Sequence, residues 1–212
     1  RDTIIGDFGQ MTYAAGIVSV TETIDPGQGA ADTIEGNEDD DVLIGGFGSD
    51  TLNAGVGNNV VIGDNGRIEH DTDGAPKILQ TTDTEENSTF GDDDTITLGS
   101  GNNIVLGGMG SDTITTVDGT DVILGDNGIV TYAGATGSLK LSQVVSTVPS
   151  RGGDDEITAG DGTKHIIGGY GSDTITAGTG NHTVIGDNGQ ADFDTDGAPK
   201  ILQTTDTEGH PG

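Results

Sequence analysis

Aspartate recurs at one position of a nine-residue repeat, and this regular spacing is the feature of the chain that could do chemistry. Residues 45–53, for example, read Gly-Gly-Phe-Gly-Ser-Asp-Thr-Leu-Asn, with the carboxylate at the sixth position. Carboxylate oxygens are ligands that a hard cation such as calcium prefers. In one shared frame the sixth positions are Asp2, Asp32, Asp41, Asp50, Asn59, Asp94, Asn103, Asp112, Asp121, Asp155, Lys164, Asp173 and His182. Nine of these thirteen residues are aspartate, so the repeat places carboxylates in register along the chain.

The elements that would position these carboxylates are short strands stacked in a parallel coil. The eighth position of each repeat is aliphatic, as in Ile34, Leu43 and Leu52, and glycines at the first, second and fourth positions permit tight turns. Three-residue strands between six-residue turns are too short to pair as hairpins, but stacking lets each strand pair with its copy one coil away. We therefore predict an all-β fold, a parallel β-roll or β-solenoid with eighteen residues per coil, interrupted by β-hairpin inserts.

Blocks of repeats alternate with segments outside the repeat. Each block ends in a tetrad, Gly-Asp-Asn-Gly, and the intervening segments combine β-favouring stretches with turn formers, which predicts protruding β-hairpins. One such segment, residues 71–85, recurs letter for letter at 194–208. The predicted organisation is the end of a truncated repeat unit plus an insert over 1–26, β-roll blocks over 27–66, 89–128 and 150–189, hairpin inserts over 67–88 and 129–149, and a hairpin insert with a tail over 190–212.

Composition narrows the classes of partner and of fold. Only 30% of the 212 residues are hydrophobic and 39 are glycine, so a single thick core is not expected. The net charge of −29 repels nucleic acid and anionic lipid, and opposes a compact state unless cations neutralise it. We expect no nucleic-acid partner and no membrane insertion. The absence of cysteine leaves oxygen ligands for any metal.

Residues 45–53, 107–115 and 168–176 match Gly-Gly-x-Gly-x-Asp-x-U-x, where U is aliphatic, and the chain resembles the RTX calcium-binding β-roll repeats of large secreted bacterial adhesins. The resemblance implies several Ca²⁺ ions between the loops of neighbouring coils, held by sixth-position aspartates and loop carbonyls. The loop residues that it implicates are Gly45, Phe47, Gly48, Gly107, Met109, Gly110, Gly168, Tyr170 and Gly171.

A coil of eighteen residues pairs the sixth positions along two flanks. The first flank pairs Asp32 with Asp50, Asp94 with Asp112, and Asp155 with Asp173, all double carboxylates. The second pairs Asp41 with Asn59, Asn103 with Asp121, and Lys164 with His182. Because an ammonium offers no oxygen, we expect the last of these sites to hold no calcium, with the Lys164 ammonium in the place of the ion. The tetrad residues Asp64, Asp126 and Asp187 either complete a further site or only cap turns.

The ninth positions predict two different outer faces. One face is apolar and needs a cover, which the inserts could supply, or else it lies partly exposed at a crowded sheet edge. Its members are Ile44, Ile62, Leu106, Leu124, Ile167 and Ile185. The other face carries ranks of threonine such as Thr95 and Thr97. This pattern looks like the flat face of solenoid ice-binding proteins, although threonine is also common in strands for ordinary reasons of β-propensity.

The sequence therefore predicts a calcium-dependent structural region of a large secreted or cell-surface bacterial protein. It would act as a stiffened spacer or adhesin segment that folds on binding extracellular Ca²⁺. One alternative is a subunit of a self-assembling extracellular fibre, sheath or surface layer, with neighbouring copies as partners. A weaker one is an ice- or carbohydrate-binding solenoid. No enzyme is expected, because neither His-Glu-x-x-His nor Gly-x-Ser-x-Gly occurs. No residue pattern points to a surface ligand.

Overall fold

The computed structural model describes residues 1–84 and 91–205. Within these two ranges every helix or strand that is assigned is a strand, twenty-one in all, and most of them belong to parallel sheets. The prediction of an all-β fold is therefore confirmed for the described residues, and the arrangement is consistent with a β-roll. The start of the block predicted over 89–128, and the last residues of the segments 67–88 and 190–212, lie outside the described residues.

The first parallel sheet, which we call the core sheet, has seven strands. In spatial order these are β1 (Thr3–Ile5), β5 (Val42–Ile44), β7 (Val60–Ile62), β11 (Ile104–Gly108), β13 (Gly119–Asp126), β17 (Gly162–Gly169) and β19 (Gly180–Asp187). Leu43 lies opposite Val61, and Val61 lies opposite Val105. The first of these pairs is offset by eighteen residues, so one coil uses two repeats as predicted. The second pair joins two different blocks across an insert.

The second parallel sheet, the threonine sheet, has six strands. In spatial order these are β18 (Thr174–Ala177), β16 (Glu156–Ala159), β12 (Thr113–Thr116), β10 (Thr95–Leu98), β6 (Thr51–Gly55) and β4 (Thr33–Glu35). The predicted ranks are present, because Thr95 pairs with Thr113 and Thr97 with Thr115. Thr95, Thr97 and Thr113 point to solvent.

Eighth-position side chains fill the space between these two sheets, as the alternation of the repeat predicts. The buried members of this cluster are Ile34, Leu43, Leu52, Val61, Ile96, Val105, Ile114, Ile123, Ile157 and Ile166. Val184 differs, with 46% of its surface exposed, because its strand β19 is the last in the core sheet. Each coil thus contributes eighth-position side chains from both sheets to a narrow inner core, as Leu43 and Leu52 do.

The insert segments form a third, antiparallel sheet of eight strands, the hairpin sheet. Its strands are β2 (Gly9–Ala14), β3 (Ile17–Thr23), β8 (Gly66–His70), β9 (Pro76–Thr81), β14 (Gly128–Ala133), β15 (Lys140–Ser146), β20 (Gly189–Phe193) and β21 (Pro199–Thr204). Consecutive strands pair as hairpins, and hairpins from different inserts also pair, as where Leu79 lies opposite Val130. The insert hairpins therefore join edge to edge in one sheet.

The hairpin sheet lies on the outer face of the core sheet because that face is apolar. The ninth-position residues Ile44, Ile62, Leu106, Leu124, Ile167 and Ile185 share one buried cluster with Ile68, Leu79, Val130, Val144, Ala191 and Phe193 of the hairpins. The predicted cover for the apolar row is confirmed. In the last hairpin Ile201 and Leu202 remain about half exposed, because β21 lies at the sheet edge. Three layers result, with the core sheet in the middle.

Candidate metal centre

The sixth-position aspartates of the first flank form one continuous series of hydrogen bonds. We call Asp32, Asp50, Asp94, Asp112, Asp155 and Asp173 the aspartate ladder. The backbone N–H of each of the first five donates to Oδ1 of the next, at 2.7–3.0 Å. The ladder crosses the inserts, since Asp50 contacts Asp94 and Asp112 contacts Asp155. Pairing by sequence had linked these residues only within a block.

The second carboxylate oxygen of the aspartate ladder has no hydrogen-bond partner. Oδ2 of all six members is shielded from solvent and accepts nothing from the protein. A buried polar atom without a partner costs free energy, and the cost is larger for a charged group. Native proteins leave few such atoms, so six in one row need an explanation. A bound cation is the partner that fits a row of anionic oxygens.

First-position glycines bring a carbonyl oxygen next to each of these free oxygens. A Cβ built on Gly45 would lie 2.3 Å from Asp50 Oδ2 and 2.1 Å from the carbonyl oxygen of Gly63. Calcium binds oxygen at about 2.3–2.6 Å, so the space left by the missing side chain suits an ion. We call this space a cradle. Cradles of this kind occur at Gly6, Gly45, Gly63, Gly107, Gly125 and Gly168.

The structure separates the loop residues implicated by the sequence into three groups. Gly45, Gly107 and Gly168 line cradles. Gly48, Gly110 and Gly171 have φ values of 109°, 104° and 126°, which only glycine adopts readily, so they shape the turn. The backbone N–H groups of Phe47, Met109 and Tyr170 donate to carboxylates of Asp7, Asp64 and Asp126.

The cradles at Gly6, Gly63 and Gly125 were not predicted from the sequence. In each of these cradles a hairpin insert separates the glycine from its aspartate, which is Asp32, Asp94 or Asp155. The two residues of one cradle are therefore far apart in sequence. A signal was present: the first glycine of each Gly-Asp-x-Gly tetrad holds the same position in the repeat as Gly45.

The contacts of Asp126 favour the turn-capping alternative, whereas Asp64 keeps one buried oxygen without a partner. Both oxygens of Asp126 accept backbone N–H groups, from Gly153 and Tyr170. Asp64 accepts from Met109, and its Oδ1 is buried without a partner. Burial raises the pKa of Asp64, and Asp94 and Asp112 raise it further. Asp187 is exposed.

Burial disfavours the ionised form of the carboxyls in the aspartate ladder. It raises the pKa of Asp50 to about 7, and that of Asp94 and Asp155 to about 8. The pKa of Asp112 is also well above its usual range, chiefly through burial and then through Asp94 and Asp155. A cation in each cradle would favour the ionised form and lower these pKa values again.

The opposite flank has the same backbone register but other chemistry. We call Asp2, Asp41, Asn59, Asn103, Asp121, Lys164 and His182 the mixed ladder. Asp41 N–H donates to Asn59 Oδ1 at 2.8 Å, and Asn59 N–H donates to Asn103 Oδ1 at 3.1 Å. Asp41 Oδ2 is shielded from solvent without a partner, like the atoms of the aspartate ladder.

The Lys164 ammonium contacts Asp121 rather than the loop of His182. Nζ donates to Asp121 Oδ2 at 2.5 Å and to the carbonyl oxygen of Val117 at 2.9 Å. Both side chains are fully buried. Lys164 and His182 lie opposite each other in the core sheet, as predicted. The predicted position of the ammonium is one coil off, because the side chain reaches the preceding coil.

No group of three or more His, Cys, Asp or Glu side chains converges on one point in residues 1–84 and 91–205. Each cradle instead offers one carboxylate and one backbone carbonyl. Calcium accepts both kinds of oxygen, together with water, and Asp50 or Asp112 would hold it through Oδ2. In the same two ranges no helix is long and apolar enough to cross a membrane.

Stacked short strands with oxygen-lined cradles between their loops define a repeat protein that binds hard cations. Four stretches match the family model of the RTX calcium-binding nonapeptide repeat, at residues 26–67, 91–114, 100–131 and 159–190. Together they cover more than half of the chain, which therefore belongs to this family. RTX nonapeptide repeats bind calcium, which supports Ca²⁺ as the cation of the cradles. Neither the curated proteins nor the solved structures gave a match.

Proposed function

We propose that the chain is a calcium-dependent structural region of a large secreted or cell-surface protein. It would act as a stiffened spacer or adhesin segment, a β-roll with hairpin inserts that becomes ordered when it binds extracellular calcium. The row of six shielded carboxylate oxygens without partners is the observation that carries this proposal. RTX repeat proteins are generally secreted, which supports the extracellular location.

The energetics favour folding after export. A chain with a net charge of −29 opposes compaction, and its ladder carboxylates lose solvation when the coils stack. Calcium reverses both effects, so its binding energy becomes folding energy. Extracellular calcium modules have dissociation constants of about 0.1–1 mM. The chain would therefore stay unfolded at cytoplasmic calcium and fold outside the cell.

The layered fold favours a mechanical role. The hairpin sheet adds a second apolar cluster on the outer face of the core sheet, and the ladder bonds tie each coil to the next. Three sheets progressing in the same direction resist bending more than a single coil of short strands does. We propose no catalytic role.

Circular dichroism during a calcium titration tests the proposal. At pH 8 the metal-free chain should be disordered, calcium should produce a β-rich spectrum, and a chelator should reverse it. Magnesium is the control ion, because it demands a smaller octahedral site and should not replace calcium. Asp112→Ala should raise the calcium midpoint more than Asn103→Ala does, since only Asp112 has a free Oδ2. A β-rich spectrum that ignores the chelator would refute the proposal.

A self-assembling fibre or surface layer is the second candidate, and the pairing between hairpins of different inserts favours it. β21 repeats the sequence of β9, yet Leu202 is 52% exposed whereas Leu79 is fully buried. The difference arises because β14 pairs with β9, while β21 lies at the sheet edge. Since β9 pairs with β14 of the next insert, hairpins of a second copy could use the same contacts. Electron microscopy of the calcium-loaded chain would show ordered subunits for a fibre and isolated particles for a spacer.

A further inference from the structure

We propose that the mixed ladder from Asn59 to His182 takes no calcium, because side chains of the protein occupy the places that ions take on the aspartate ladder. Lys164 is then a resident cation, and from Asn59 onward the mixed ladder needs no calcium. The inference rests on the proposed loading of the aspartate ladder.

Side-chain N–H groups satisfy the loop carbonyls of the mixed ladder. Asn59 Nδ2 donates to the carbonyl oxygen of Gly55 at 3.1 Å, and Asn103 Nδ2 donates to that of Gly99 at 3.2 Å. His182 Nε2 lies 2.9 Å from the carbonyl oxygen of Gly178. Each carbonyl lies four residues before the side chain that contacts it. A carbonyl oxygen that accepts such a bond is satisfied without a metal.

In the loop of Asp121 the corresponding carbonyl oxygen is also satisfied, but the donor is a lysine from another coil. The carbonyl four residues before Asp121 belongs to Val117, and it accepts from the Lys164 ammonium. Asp121 Oδ2 accepts from Lys164 and, at 2.8 Å, from the Thr116 hydroxyl. Asp121 Oδ1 accepts the backbone N–H of Asn103 at 2.9 Å. Both carboxylate oxygens are thus engaged, and the ammonium supplies the positive charge that an ion would bring.

Side-chain carbon fills the cradles of the mixed ladder. The first positions of its repeats are Gly36, Ala54, Leu98, Thr116, Ala159 and Ala177. Ala54, Leu98, Thr116 and Ala159 are all buried. On the aspartate ladder a Cβ at this position would lie only 2.0–2.5 Å from Oδ2, where an ion would sit. A residue larger than glycine therefore excludes the ion, independently of the hydrogen bonds.

Gly36 and Asp41 belong to the mixed ladder but have the features of an aspartate-ladder cradle. A Cβ built there would lie 2.6 Å from Asp41 Oδ2 and 3.0 Å from the carbonyl oxygen of Ala54. Asp41 Oδ2 is also without a partner. A first-position glycine and a free aspartate oxygen thus occur together on both ladders, and Asp41 groups with the calcium sites rather than with Asn59.

The test counts calcium ions bound by the full chain and its variants with isothermal titration calorimetry. Asp112→Asn and Asp121→Asn are the matched pair, each removing one buried carboxylate of a different ladder. Asp112→Asn should abolish the binding of one calcium ion or weaken its affinity by about tenfold or more. Asp121→Asn should leave the number of bound ions unchanged. Loss of an ion in Asp121→Asn would overturn the inference.

Asp121→Asn could unfold the chain by leaving Lys164 unpaired, so a measurement on the unaltered protein stands beside it. Crystals grown with calcium should give anomalous density at the cradles of the aspartate ladder and none between Asp121 and Lys164. Density between those two side chains overturns the inference but leaves the proposed function intact. Absence of ions from both ladders, with a fold indifferent to chelator, would instead defeat the proposed function.

Discussion

On both ladders, a backbone N–H donates to a sixth-position Oδ1 of the next coil, yet the two ladders differ in what happens to the other side-chain atom. In Asp94 it is a carboxylate oxygen without a partner, whereas in Asn103 it is an amide nitrogen that donates to Gly99. Asparagine therefore keeps the coils in register as well as aspartate does. The two side-chain atoms therefore have separate roles, since Oδ1 links the coils and the free Oδ2 is the atom that would bind a metal.

The largest expected effect is the response of the metal-free chain to pH, because several carboxyls of the aspartate ladder act together. Their folded pKa values, about 7 for Asp50 and about 8 for Asp94 and Asp155, lie above the ordinary value of 3.8. The stability from their protonated forms is complete below that ordinary value and is lost as pH rises through about 7–8. The metal-free chain should therefore show more β-structure at pH 5 than at pH 8.

Saturating calcium should reverse this order, because protons compete with the ion for the same oxygens. Circular dichroism at the two pH values, with and without calcium, measures both trends. A metal-free chain that is better ordered at pH 8 would mean that the ladder carboxyls are not buried as described.

The second effect comes from filling a single cradle. A Cβ at Gly107 would lie 1.9 Å from the carbonyl oxygen of Gly125 and 2.3 Å from Asp112 Oδ2. Gly107→Ala should remove one ion and cost about 3 kcal/mol of unfolding free energy in calcium, measured by urea denaturation. Gly186→Ala is the control, because Gly186 holds the same position and nothing lies within 4 Å of its Cβ site. Equal costs for the two variants would show that the cradle is not the cause.

The smallest effect is expected on the mixed ladder. Asn103→Asp removes the donor to Gly99 and buries a second carboxylate oxygen beside Leu98, where no cradle exists. It should cost about 1–3 kcal/mol of unfolding free energy, by the same amount in low and in saturating calcium. Rescue by calcium would show that this flank accepts ions despite Leu98, and the contrast between the ladders would weaken.

The period of the sequence was sufficient to predict the relations between successive coils within one block. It gave the offset between Leu43 and Val61, the buried eighth position, and the need to cover Ile44 and Ile62. Relations across an insert were not predictable, because an insert of irregular length hides the return to register. The contact of Asp50 with Asp94 and the pairing of β9 with β14 are of this kind.

The role of Lys164 on the mixed ladder could be predicted from the sequence only in part. That Lys164 could not bind calcium followed from its chemistry, but its reach to Asp121 depends on side-chain direction and burial. The sequence signal that would have helped is the first position of each repeat. Glycine there accompanies a free carboxylate oxygen, while Ala54, Leu98 and Ala159 accompany nitrogen donors.

All three sheets add strands in the same direction, so their hydrogen bonds run lengthwise from coil to coil. A pull on the two ends would load these bonds in series, and the molecule would open at one weak level instead of sliding along its whole length. The coils of Asp121 and Lys164 are joined by a salt bridge that a chelator cannot remove. Under tension in scarce calcium, that junction should be among the last to part.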